Sequence, residues 1–80
     1  MTVQEKISRD NRMISNIQAV LRVHNQLRQY AAAVQVSIEK SAIVLRGHLP
    51  SLALKQALIP AIRQAGVLAK VSNEVRVEGV

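Results

Sequence analysis

Residues 36–51 read V-S-I-E-K-S-A-I-V-L-R-G-H-L-P-S, and residues 64–77 read Q-A-G-V-L-A-K-V-S-N-E-V-R-V. In the first run Val36 and Ile38, preceded by Val34, alternate with Gln35, Ser37 and Glu39. A period of two is that of a strand with one buried face. Lys40-Ser41 interrupts the alternation. Ile43 and Leu45 then point inward again, with Val44 and Arg46 outward, so the pair predicts an antiparallel hairpin. Gly47 ends the second strand, where a glycine suggests a bend or a close backbone approach, and Leu49 returns to the core.

Pro50-Ser51 is a helix start signal with Ser51 as N-cap. Leu54, Ala57, Leu58, Ala61, Ile62 and Ala65 follow at helical spacing and make one apolar face, and Gly66 stops the helix. Pro60 falls inside it and removes the hydrogen bond to the Gln56 carbonyl, which predicts a kink or a local partner for that carbonyl. Val67, Ala69, Val71, Val75 and Val77 then alternate with polar residues as a third strand. Asn73 breaks its apolar side, which marks a bend satisfied by side-chain-to-backbone bonding. A strand, a crossover helix and a returning strand make the last two strands parallel.

Upstream, Ile7, Ile14 and Leu21 recur every seven residues, with Met13, Ile17, Val20, His24 and Leu27 widening the stripe. This predicts a helix from about residue 10 to the mid-twenties, capped by Asp10 or Asn11. Thr2-Val3-Gln4-Glu5 fits a capping box and offers an earlier start. Asn25 is the one stop signal. Leu27–Ala33 is a connector that would also extend a helix, and Tyr30, the only aromatic residue, is placed against the sheet edge or the helix base. The expected fold is therefore α+β: a two-layer α/β sandwich, α-β-β-α-β, with two helices on one face of a three-stranded mixed sheet. The other face, with Gln35, Ser37, Glu39, Arg46, Lys70, Ser72, Glu74 and Arg76, is polar.

Eighty residues make one domain, and 49% apolar content, nearly all aliphatic, suffices for a compact core. With no cysteine, neither a disulfide nor a thiolate metal site reinforces it. Eleven basic residues against five acidic ones leave a formal charge of +6, which favours anionic partners or serves solubility. No stretch has the length of a membrane span and the first nine residues lack the apolar core of a signal peptide. The expectation is a cytoplasmic chain as written, or a periplasmic or envelope one if these residues belong to a longer exported protein.

These residues resemble the BON domain, the module named after bacterial osmotically inducible and nodulation proteins. The resemblance is carried by Val36, Ile38, Ile43, Leu45, Gly47 and Leu49, then by Gly66-Val67, Val71, Asn73, Val75 and Val77. Asp10 to Leu21 is similar to the family's first helix. It divides the chain into an N-terminal extension of residues 1–9, helical if the early cap is used, a BON-like domain of residues 10–77 and a tail of residues 78–80. Ser41 stands where the family has a hairpin glycine. The resemblance implies an α-β-β-α-β sandwich that binds phospholipid or membrane surfaces and protein partners and carries no family-wide catalytic residues; Gly47, Gly66 and Asn73 are its structural signature.

A single aspartate, two histidines far apart and no nucleophile elbow leave no catalytic constellation and no metal spacing. His24 fits a boundary histidine bonded to backbone, and His48 an exposed loop residue. There is no phosphate-binding glycine motif and hence no cofactor signal. Nucleic acid is disfavoured, because aromatic content of 1% supplies no stacking platform. On the second helix, Leu52 and Ile59 fall opposite the core face beside Lys55 and Arg63, a candidate surface for an anionic bilayer or a protein partner. The alternative to lipid binding is a protein-interaction or homo-oligomerisation module of the kind that builds rings in secretion systems, using a free sheet edge or residues 1–9. Lys6, Arg9 and Arg12 form a basic run read as a solvated face.

Overall fold

A computed structural model describes residues 2–78, and of Lys6 the backbone alone. The order is α1 (Val3–Val23), a 3-10 helix (Arg28–Ala33), β1 (Val34–Glu39), β2 (Ala42–Leu49), α2 (Leu52–Gln64), β3 (Val71–Asn73) and β4 (Arg76–Val77). The expected α+β architecture is present, a mixed sheet with helices packed against it.

The helix start at residue 10 is corrected. The Thr2 hydroxyl accepts from the Glu5 amide and the Glu5 carboxylate accepts from the Thr2 amide, both at 3.2 Å. That reciprocal pair satisfies two amides of the first turn and starts α1 at Val3. The stop is His24 rather than Asn25. His24 leaves helical geometry at ψ 133°, its amide donates to the Val20 carbonyl, and its Nδ1 accepts from the Gln26 amide at 3.1 Å. His24 is thus half-buried and bonded to backbone, as its place on the stripe suggested. The connector is a separate 3-10 turn, which seats Tyr30 and Ala31 against the core.

β1 and β2 pair antiparallel from Val34↔Gly47 to Glu39↔Ala42. Two residues close the hairpin, Lys40 at φ 51° and Ser41 at φ 65°. Positive φ at both central positions is the type I′ turn, whose twist matches that of the strands. Gly47 lies at φ 140°, and a Cβ built on it would stand 2.0 Å from the Ala33 carbonyl oxygen. Only glycine lets β2 pass beneath the end of the 3-10 turn.

The third strand is shorter than its alternation suggests. Val67–Lys70 is irregular, although Val67 is buried, and pairing begins at Val71. It is also interrupted: β3 pairs parallel with Ile43–Leu45 and β4 with His48–Leu49, in one unbroken register. The amides of Glu74 and Glu78 donate to the Leu45 and Leu49 carbonyls. By alternation the amide of Val75 faces the free edge, where the Asn73 Oδ1 accepts from it at 3.3 Å. Asn73 Nδ2 donates to the Lys55 carbonyl at 3.0 Å. The bend expected at Asn73 is therefore real, and its side chain ties α2 to the sheet edge.

Ile17 and Leu21 of α1, Leu58, Ala61 and Ile62 of α2, and Ile43, Leu45, Leu49 and Val75 of the sheet are all at most 1% exposed. Ser51 caps α2 by accepting from the Leu54 amide, and Gly66 follows its C-cap at φ 82°. α2 is continuous across Pro60; Pro60 and Gln56 both lie on its solvent side, where water can take the freed carbonyl. The stripe of α1 outruns this core. Ile17 and Leu21 are buried, but Ile7 is 54% and Val3 77% exposed, so the first turns project beyond the sheet. The basic run lies there, with Arg9 and Arg12 exposed and the Lys6 side chain outside the described residues. Residues 79–80 are likewise outside them.

Candidate functional site

Two surfaces gather polar side chains. The first is the open face of the sheet. Arg46, on the central strand, donates to both oxygens of Glu39 at 2.6 and 3.4 Å, and its Nε lies 3.4 Å from Glu74 on β3's side. Ser37 donates to Glu39 and Ser72 to Glu74, at 3.0 and 3.1 Å. Glu39 faces Ala42, four positions back along β2 from Arg46, so the guanidinium must reach across Val44 to meet it. Val44, on this outward face as expected, is consequently buried. The hydrogen bonds from Arg46 and then Ser37 hold the Glu39 carboxyl below its usual range. Both acids turn to one cation, so the network is a structural clasp across the open face of the sheet.

The second surface is a groove of about 520 Å³ between the first turns of α2 and the edge formed by β4. Leu52, Val75 and Val77 supply its apolar part. His48, Lys55, Glu74 and Arg76 stand around them. Beside it, the Asn73 side chain bridges from the strand edge to the Lys55 carbonyl on α2. Cations outnumber the single acid here, and that acid already serves Arg46 and Ser72.

The four surface residues singled out on α2 do not share this site equally. Leu52, 54% exposed, and Lys55 line the groove. Ile59 is half-buried and outside it. Arg63 donates from Nη1 to the Val67 and Ala69 carbonyls at 2.9 and 2.7 Å, bracing the loop that leads to β3. Of the signature residues, Gly47 and Gly66 hold backbone geometry and Asn73 ties α2 to the sheet edge. A helical wheel of α2 alone pointed to Leu52 and Lys55. It had no means of finding His48 and Arg76, which only the parallel register of β4 with the end of β2 brings alongside.

Among the described residues, no group of three or more histidine, aspartate or glutamate side chains could hold a metal ion. No helix there is long and apolar enough to cross a membrane. No protein-family model matches the chain, and no curated protein matches it.

Proposed function

We propose that the chain is a non-enzymatic, BON-like binding module that attaches weakly to anionic phospholipid surfaces. The observation that supports this reading most is the α2 end of the domain, where exposed Leu52 stands beside Lys55 and Arg76 on a chain of net charge +6. A shallow apolar contact ringed by cations is the arrangement that suits a headgroup layer, in which each basic residue near the surface contributes about 1 kcal/mol. Co-sedimentation with phosphatidylcholine vesicles and with vesicles carrying phosphatidylglycerol tests it. Selective pelleting with the anionic vesicles is expected; equal binding to both, or to neither, would remove the proposal.

A second reading rests on a different observation. Ile7, the first member of the seven-residue stripe of α1, and Val3, one turn before it, lie beyond the core and are exposed among the described residues. A protein-interaction or homo-oligomerisation role would use them. Light scattering over a range of concentrations discriminates, because a strict monomer at high concentration excludes self-assembly through this helix.

A further inference from the structure

We propose that the groove between α2 and β4 is the point at which an anionic phospholipid is held. Its phosphate would sit among His48, Lys55 and Arg76, with the first carbons of its chains against Leu52 and Val77. This rests on the lipid reading above and gives it a specific site.

Three features select this occupant. The lining is divided between aliphatic and cationic groups, which matches an amphiphile with one charged end. Glu74, the sole carboxylate of the lining, is bonded to Arg46 and Ser72, and Lys55 and Arg76 still outnumber it two to one at the rim. The volume, about 520 Å³, lies in the range of small-molecule sites and exceeds what a bare phosphate fills. A peptide adding as a strand to the β4 edge is disfavoured by a fourth observation. The Val75 amide, one of the donors such a strand would use, already donates to Asn73 Oδ1. Leu52, exposed at the lip, would let the bound lipid remain in a bilayer while its phosphate is captured.

Titration of the ¹⁵N-labelled chain with dihexanoyl phosphatidylglycerol, kept below its micelle concentration, provides the test. The amides of His48, Leu52, Val75 and Arg76 should shift together. Lys55→Gln combined with Arg76→Gln should weaken binding by about tenfold or more, while Arg28→Gln, a cation exposed on the 3-10 turn, should change it by less than about twofold. Inorganic phosphate should bind far more weakly than the lipid. Shifts centred elsewhere, unchanged affinity in the double variant with a native-like spectrum, phosphate binding as tightly as the lipid, or tighter binding of an acidic peptide at the same amides would each overturn the assignment. Vesicle binding that survives the double variant would sink the groove and leave the surface reading standing. Groove binding of the monomeric lipid without vesicle partition would do the reverse.

Discussion

Replacing Gly47 by alanine should remove a large part of the domain's stability, and the reason can be worked from two numbers. Gly47 sits at φ 140°, a region that side-chain-bearing residues rarely adopt, and holding alanine there costs roughly 1–3 kcal/mol. The new Cβ would also lie 2.0 Å from the Ala33 carbonyl oxygen. Backbone cannot yield as a flexible side chain can. Ala33 must move by more than about 1 Å to restore ordinary van der Waals separation, and that displaces Val34, the residue paired with Gly47 at the start of β1. The two effects together should reach about 3–5 kcal/mol, at the high end for single substitutions. A chain of 80 residues has roughly 4–12 kcal/mol in total, so Gly47→Ala would be largely unfolded or close to it. Gly66→Ala is the matched control. It also has positive φ, 82°, but nothing lies within 4 Å of its Cβ, so its cost should stay near about 1–2 kcal/mol. Urea unfolding followed by far-ultraviolet circular dichroism measures both. If Gly47→Ala lost no more than Gly66→Ala, the close approach of β2 to the 3-10 turn would be refuted.

Other substitutions probe separate parts of the same structure. Ser41→Gly should stabilise by roughly 0.5–1 kcal/mol, because both turn residues have positive φ and glycine accepts that conformation freely; a destabilised variant in urea unfolding would contradict the type I′ turn. Glu39→Gln should lower stability at neutral pH but not in strong acid. The folded carboxyl titrates below its usual range because Arg46 and Ser37 bind its ionised form. Its contribution is therefore full above the ordinary glutamate pKa of about 4.3 and is lost as pH falls through the lower folded value. Paired unfolding curves at neutral and strongly acid pH should converge in acid, and a constant gap between them would be inconsistent with the clasp. Asn73→Ala should cost about 1–2 kcal/mol and speed hydrogen exchange at the Val75 amide, which loses its acceptor; unchanged exchange there would mean Asn73 does not guard the edge.

The sequence carried the layers well because alternation and helical spacing are local. Ile43, Leu45 and Leu49, and on α2 Leu58, Ala61 and Ile62, are buried where the pattern put them. Ser51 and Gly66 act as their residue types implied, and Gly47 makes the close backbone approach expected of it, but it does not end the strand: β2 runs on through His48, expected in a loop, to Leu49. What failed was decided by partners distant in sequence. Alternation ran back to Val67, but β2 offers a partner only from Ile43 onward, so pairing begins at Val71. The seven-residue stripe of α1 gave no sign that the sheet ends before Ile7. Arg63 looked like a free surface cation because its acceptors are carbonyls of a loop whose course no wheel can show. The groove follows the same rule: Leu52 and Lys55 were visible on one helix, whereas His48 and Arg76 join them only through the register of β4.

Attachment to an anionic membrane is most directly tested by the partition of the unmodified chain onto phosphatidylglycerol-containing vesicles as salt is raised. Exposed charges are screened beyond about 10 Å at 0.1 M salt and about 3 Å at 1 M, so partition should rise with the anionic fraction and fall steeply along the salt series. Partition indifferent to both lipid charge and salt would contradict it.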